Sequence, residues 1–445
     1  MEKQTKIEAV PLGWEVKKLK DVFYINELSL PSNTPADYQF RYITIEQVST
    51  NHIDYENCEA FRFSDAPGRA RRIVRDNDIL ISGVRPNLKS FAIFENPDAG
   101  NWICSTGFYV LTAKNEDDNL ISYYELLSEI GERQFYSYVA GSNYPAIGDS
   151  DIRNIRLVLP SSVKEQTAIA NILSKVDEAI ASVQGSIAAA ERLKKSLMQN
   201  LLIGRMKPDG TLRKEEEFYM DEKFGKVPMG WEVKKVGEVF DTYPTASYSR
   251  SKLLETGNCK YIHYGDIHTK FDTFLDVSNT DLPYISNDMI KNFVFLKDGD
   301  IVIADTSEDY EGVGKLVEIR NIGENKVISG LHTLLIRSKS DTLINGYKGY
   351  MFNEERVMLS LLKYVTGIKV YSISKSCLAR VVIPIPPKKE QEQIKQKLDS
   401  VNFSITQEKD KIATLERLKK SLMQNLLTGR VRVKMNNTIK NDEYE

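Results

Sequence analysis

Between Arg62 and Lys89 the chain carries seven cationic residues, Arg62, Arg69, Arg71, Arg72, Arg75, Arg85 and Lys89, against only Asp65, Asp76 and Asp78. Clustered cations neutralise phosphates, and Arg or Lys also bonds guanine edges in the major groove, at about 1–3 kcal/mol of discrimination for a good bidentate pair. Asn, Ser and Tyr serve bases and phosphates alike. The candidates for such contacts in the first half are Arg69, Arg71, Arg72, Arg85, Asn87 and Lys89, with Ser142, Asn143 and Tyr144 further on. A weaker basic run, YSRSKL from Tyr248, opens a second set: Tyr248, Arg250, Lys252, His263, His268, Lys369 and Tyr371. Over the whole chain the charges nearly cancel, to a formal −2. That balance argues at first against a nucleic-acid binder, but it is made by acidic residues placed elsewhere, and the excess is local.

No catalytic chemistry accompanies these residues. A methyltransferase acting on an exocyclic amine would show a motif like NPPY and a Gly-rich cofactor loop; NYPA at Asn143 and IPPK at Ile385 do not qualify. The fragment EGVGKL from Glu311 lacks the first glycine and the final Ser or Thr of a phosphate-binding loop. The four histidines show no grouping with a nucleophile and no metal-site spacing. Cys58, Cys104, Cys259 and Cys377 are scattered without CxxC spacing, which predicts reduced, partly buried thiols. An N-terminus without an apolar signal core, and no apolar run near the ~18 residues that span a bilayer, predict a cytoplasmic protein with no membrane partner.

What must position the two basic sets is a duplicated framework. ERLKKSLMQNLL from Glu191 to Leu202 recurs unchanged from Glu416 to Leu427, and PLGWEVKK around Trp14 returns as PMGWEVKK around Trp231. The offset between copies grows from 217 to 225 residues, as small loop insertions would make it. Tyr42 pairs with Tyr261, Asp78 with Asp300, Gly107 with Gly330 and Gly141 with Gly367. A tandem duplication is to be read before any single element.

The unchanged part is helical. Apolar residues at Ile169, Leu173, Val176, Ile180, Val183, Ile187 and Ala190 alternate in steps of four and three, a coiled-coil seam. It continues through Leu193, Leu197 and Leu201 after a break in heptad register. The second copy repeats it at Ile394, Leu398, Val401, Ile405, Ile412, Leu415, Leu418, Leu422 and Leu426, with Glu408 as the polar intruder. A capping box of Ser162 with Glu165, the doubled Pro386–Pro387, and the closing Gly204 and Gly429 mark the ends. At ~1.5 Å per residue the first helix would be about 57 Å long, a rigid spacer. Core packing accounts for the apolar seam. It does not account for the match of Arg192, Lys194, Lys195, Ser196, Gln199 and Asn200 to Arg417, Lys419, Lys420, Ser421, Gln424 and Asn425. Two identical outward faces suggest two copies of one partner, with Arg192, Lys194, Lys195, Gln199, Arg417, Lys419, Lys420 and Gln424 as the contacts; recent gene conversion is the competing explanation.

The varied parts mix short β-branched or aromatic runs (YITI, DILIS, FAIF, FYVLT; YIHY, FVFL, DIVIA, HTLLI) with one amphipathic helix each, ISYYELLSEIGERQFYSYV and YKGYMFNEERVMLSLLKYV. This predicts an α+β fold. The expected organisation is a recognition domain over 1–160, a helix over 161–205, a second recognition domain over 206–385, a second helix over 386–430, and a tail over 431–445.

These residues together resemble one family, the specificity subunits of type I restriction-modification systems. The resemblance covers nearly the whole chain and rests on LGWEVKKLKDVF and MGWEVKKVGEVF, DILISGVRPNLK, IPIPPKKEQEQI with the degraded LVLPSSVKEQTAI, and the paired ERLKKSLMQNLL. The first copy departs from the doubled proline, having Pro160 followed by Ser161 and Ser162. The resemblance implies two target-recognition domains separated by an antiparallel intramolecular coiled coil with a pseudo-two-fold axis. It implies that each domain reads one half of a gapped, asymmetric site in double-stranded DNA. Two methylase subunits holding S-adenosylmethionine would dock on the scaffold, and a restriction subunit using ATP and Mg would join where one is present. The chain itself would be non-catalytic and hold no cofactor. A paired-helix scaffold whose α+β domains bind something other than DNA is the alternative reading.

Overall fold

A computed structural model describes residues 10–139, 145–290 and 293–434. The chain divides into two compact units, one formed by 1–185 with 409–445 and the other by 186–408.

In the first unit the segment DILIS forms the strand Ile79–Ser82, buried at every position. Such an unalternating apolar strand must be covered on both faces, and it is. Ile79 and Ile81 join a core with the helix Asn119–Leu127 and the long helix Val163–Leu201. Leu80 points the other way, into a core closed by Phe94, Trp102 and Phe108. The strand sits in an antiparallel sheet between Phe108–Ala113 and Phe91–Ile93. A second sheet orders Ala60–Arg62, Gln39–Ile43, Trp102–Ser105 and Ala70–Ile73, with one parallel pair at its centre.

The second unit repeats this plan. Ile301–Ala304 is its fully buried central strand, sending Ile301 and Ile303 to one core and Val302 and Ala304 to the other. It lies between Thr333–Ser338 and Leu316–Arg320, and a three-stranded sheet holds Cys259–Ile262 parallel to Val327–Ser329. The strand carrying each repeat's start closes antiparallel on the strand that leads into its long helix: Trp14–Lys18 on Arg156–Pro160, and Glu232–Lys235 on Val382–Ile385.

Both long helices run for 39 residues, Val163–Leu201 and Lys388–Leu426. Each unit combines the first part of one with the last part of the other. Ile169 and Leu173 share a core with Leu426 and Leu427 in the first unit; Ile394 and Leu398 share one with Leu201 and Leu202 in the second. Val176, Val183 and Ile405 are buried, Ile180, Ile187, Val401, Ile412 and Leu415 are partly buried, and Leu193 and Leu418 are about half exposed. Both lie beyond the break in heptad register, which turns the stripe away from the packed face.

Four further expectations are corrected. The capping box at Ser162 does not form, because Arg432 takes the Glu165 carboxylate in two hydrogen bonds of 2.6 and 2.7 Å. Its counterpart Glu390 is taken by Arg213 and by the Trp231 indole N–H. Each predicted amphipathic helix is two helices. Ser128 is extended and its hydroxyl accepts from the Gly131 N–H, while Glu354 accepts from the Val357 N–H, so a fresh helix is capped at each point. FVFL, from Phe293 to Leu296, is not a strand; Val294 and Leu296 pack into one core and Phe293 against another, while Phe295 is exposed. Finally, strand register pairs Gly107 with His332, not Gly330. The Gly83 N–H donates to the Gly107 carbonyl at 2.8 Å, and at the same place the Asp305 N–H donates to that of His332 at 3.1 Å. Gly141 lies outside the described residues.

Gly204 and Gly429 end the long helices with φ of +70° and +64°. A Cβ on Gly204 would stand 2.2 Å from Pro228 Cγ. Gly204→Ala is therefore expected to destabilise the second unit by about 2–4 kcal/mol, from backbone strain plus overpacking, measured as a lower urea midpoint.

Candidate nucleic-acid interface

In each repeat the loop leaving the central strand is hydrogen-bonded to two other segments. In the first, Gly83 accepts from the Ile147 N–H at 2.9 Å, Arg85 donates its N–H to Pro145, and Thr106 donates to the Arg69 carbonyl. The stretch around Arg69, the loop 83–89, the turn 105–107 and residues 145–147 thus share one end of the sheets. Arg85 and Lys89, with φ of +47° and +51°, bracket the turn Pro86–Leu88, whose Asn87 and Leu88 are exposed.

The predicted residues fare differently here. Arg69 is exposed. Arg71 and Arg72 are half-buried on the strand Ala70–Ile73, Arg71 lying over the Phe63 ring at 4.8 Å and Arg72 reaching the Ser29 hydroxyl at 3.1 Å. Lys89 turns inward to Glu132 and the Leu127 carbonyl, at 3.0 and 3.3 Å, and acts as a tether. Ser142, Asn143 and Tyr144 lie outside the described residues.

The second repeat builds the same junction. Asp305 accepts from the Ile373 N–H at 2.9 Å, and Thr306–Ser307 pairs antiparallel with Tyr371–Ser372. Two backbone bonds between Thr366 and Ser372 close a hairpin that carries Lys369, with Ile368 at its tip 91 % exposed. Tyr371 packs edge-on against Tyr310. Arg250 is half exposed and shares the buried Asp266 carboxylate with Lys270, each at 3.0 Å. Lys252 is exposed, whereas Tyr248 is half-buried and donates to the Met289 carbonyl.

The histidines separate by role. His263 is buried, and its Nδ1 accepts from the Gly265 N–H at 3.1 Å, capping the helix Tyr264–Thr269. Burial, then the Arg250 charge, holds its pKa below the ordinary value. His268 Nε2 lies 2.9 Å from the Thr306 carbonyl. Both surround the Tyr264 ring, and His332 does too, although nothing in the string ISGLHTL points to it. Only folding brings three of the four histidines onto one tyrosine.

On the long helices the matched residues are displayed alike. Arg192, Leu193, Lys195, Ser196 and Gln199 are exposed, and so are Arg417, Leu418, Lys420, Ser421 and Gln424. Lys194 leans to Asp272 at 3.4 Å and Lys419 to Asp177 at 2.5 Å, while Gln424 reaches Glu129. Asn200 and Asn425 bond back to their own helices. In the first unit a cavity of about 840 Å³ opens beside Lys419, Lys420 and Gln424, facing Glu129 and Arg133. Among the described residues no group of His, Cys, Asp or Glu side chains is placed to hold a metal ion, and no helix is long and apolar enough to cross a membrane. The four cysteines are free thiols.

The family model for the type I restriction modification DNA specificity domain matches twice, over residues 11–192 and 228–417. The chain belongs to this family. A type I restriction enzyme MjaVIII specificity subunit from Methanocaldococcus jannaschii is 27 % identical over 96 % of this chain and 94 % of that one. The EcoKI specificity subunit of Escherichia coli is 24 % identical over 49 % of this chain and 46 % of its own length. Among solved structures, the type I restriction-modification S subunit from M. genitalium superposes with a TM-score of 0.55 at 13 % identity, covering 97 % of this chain and 98 % of that one. One from work on complex assembly and conformational transition of the type I R-M system gives 0.56 at 22 %, covering 95 % and 100 %. These likenesses establish the fold of a specificity subunit, α+β with two tandem specificity domains.

Proposed function

We propose that this specificity subunit is the non-catalytic address element of a type I complex: each repeat reads one half of a gapped, asymmetric DNA site, and two methylase subunits are carried on the helices. The carrying observation is that equivalent backbone hydrogen bonds tie the loop junction in both repeats, at Gly83 and at Asp305, yet the junction presents Arg69, Arg85 and Asn87 in one and Lys369 and Tyr371, with Arg250 nearby, in the other. A shared frame with different side chains suits two different half-sites. The identical exposed faces at Arg192–Gln199 and Arg417–Gln424 suit two copies of one partner. In this reading the helices form an antiparallel coiled coil about a pseudo-two-fold axis. S-adenosylmethionine belongs to the methylase subunits, and ATP with Mg to a restriction subunit where one joins.

Two tests follow. Arg69→Ala with Asn87→Ala should relax or weaken the half-site read by the first repeat alone, by about 1–3 kcal/mol in binding, measured with duplexes altered one half-site at a time. Loss of both halves together would make these residues structural. Inserting four residues in phase into both long helices should lengthen the gap by ~6 Å, about two base pairs at ~3.4 Å each. An unchanged gap would contradict the spacer role. Pull-down of a non-DNA ligand by the α+β units, with no DNA retained in the presence of methylase, would favour the alternative scaffold reading.

A further inference from the structure

His332 holds a conformation that its framework does not require. Its φ is +55°, left-handed, where a residue with a Cβ is strained. Such strain persists where surrounding contacts hold it and clusters at functional sites. In the first repeat the two positions at this backbone contact are Gly83 and Gly107; in the second they are Asp305 and His332. The frame folds with glycine at both, so the Asp–His pair is an addition and not a requirement of the fold.

The addition is a positioned hydrogen-bonding group. His332 is about half exposed and its Nδ1 lies 3.5 Å from Asp305 Oδ1. The Thr306 hydroxyl donates its hydrogen to the same carboxylate oxygen at 2.7 Å, so toward His332 Nδ1, 3.3 Å away, it can only accept. With two acceptors before it, Nδ1 is placed to donate, and in the Nδ1–H tautomer Nε2 presents a lone pair. The Tyr264 ring, edge-on at 5.3 Å, fixes the imidazole plane. Arg250, paired with the Asp266 carboxylate, lies beside His263, which stacks on the same tyrosine.

We propose that His332 is a specificity-determining residue of the second repeat, whose Nε2 accepts a hydrogen bond from the major-groove amino group of one base, cytosine N4 or adenine N6. Asp305, Thr306 and Tyr264 are its positioning residues. The inference rests on the DNA-reading role proposed above. An acceptor discriminates here because guanine O6 and thymine O4 would place lone pair against lone pair.

The test uses the chain co-purified with its methylase partner and duplexes carrying the mapped site. His332→Gly restores the pattern of the first repeat and relieves the strained φ, so its thermal midpoint should be unchanged or raised by about 1–3 °C. Its methylation map should become degenerate at one base pair of the second half-site, with the first half-site and the gap intact. At that pair, 2-aminopurine for adenine or 2-pyrimidinone for cytosine removes the amino group. Wild type should then bind about 5- to 20-fold more weakly, as loss of one hydrogen bond predicts, and His332→Gly should be indifferent. Equal losses in both proteins, an unchanged map, or uniform weakening at every sequence would each overturn the assignment. A wild-type complex that methylates no gapped motif would instead overturn the DNA reading, and this site with it.

Discussion

Leu193→Asp combined with Leu418→Asp is expected to strip the methylase from the chain while leaving both units folded. The two leucines occupy the same place in the repeated helix segment and are 51 % and 47 % exposed. Around each stand the same exposed Arg, Lys, Ser and Gln. A large apolar residue displayed twice in one charged frame has the character of an interface anchor, and truncating such an anchor typically removes 2 kcal/mol or more, about 30-fold in affinity per site. Burying a carboxylate against the partner adds to that loss. The fold should hardly notice, since aspartate on an exposed helix face costs only about 0.7 kcal/mol or less in propensity. Lys195→Glu with Lys420→Glu should act in the same direction through charge alone. Lys194 and Lys419 make poorer probes, because Asp272 and Asp177 already engage them. Co-purification at matched expression checks the prediction. If the double variant retains the methylase in full, the identical faces reflect gene conversion and not a shared partner.

Asp300→Ala is expected to unfold the second unit more readily than Asp78→Ala unfolds the first, although the two residues are equivalent. Asp300 is 1 % exposed and its carboxylate is fully engaged. Oδ1 accepts from Arg337 Nε and Oδ2 from Arg337 Nη2, both at 2.7 Å, and Oδ2 also accepts from the Lys297 N–H. Removing it strands the guanidinium over the Tyr243 ring and releases the turn before the central strand, a loss of about 3–5 kcal/mol for a broken buried pair. Asp78 makes the same turn bond, to the Arg75 N–H, but its other partner is the Thr112 hydroxyl. No charge is orphaned there, and about 1–3 kcal/mol is expected. Hydrogen exchange in Ile301–Ala304 and in Ile79–Ser82 reads the two units separately. Equal losses would mean that the ion pair adds nothing beyond the turn.

Local pattern carries part of this architecture, and contacts between distant segments carry the rest. The duplication, the two long helices and the apolar central strands follow from local pattern: repeated strings, steps of three and four, and unbroken apolar runs. Ion pairs that join distant segments do not. Glu165 with Ser162 satisfies a capping box on paper, but the carboxylate is claimed by Arg432, 267 residues away. Lys89 reads as one more cation in a basic run until Glu132 is seen to hold it. Letter identity pairs Gly107 with Gly330, whereas strand register places His332 there and shows an Asp–His pair in place of two glycines. A basic cluster is therefore visible in the sequence, but the direction in which each of its members points is not. Tertiary contacts decide which cation faces outward.

The central claim is most directly tested by mapping adenine methylation across the host genome with and without this gene. The expected result is loss of a single gapped motif with two unlike half-sites, and of nothing else. An unchanged methylation map in cells where the chain is expressed and bound to its methylase would contradict it.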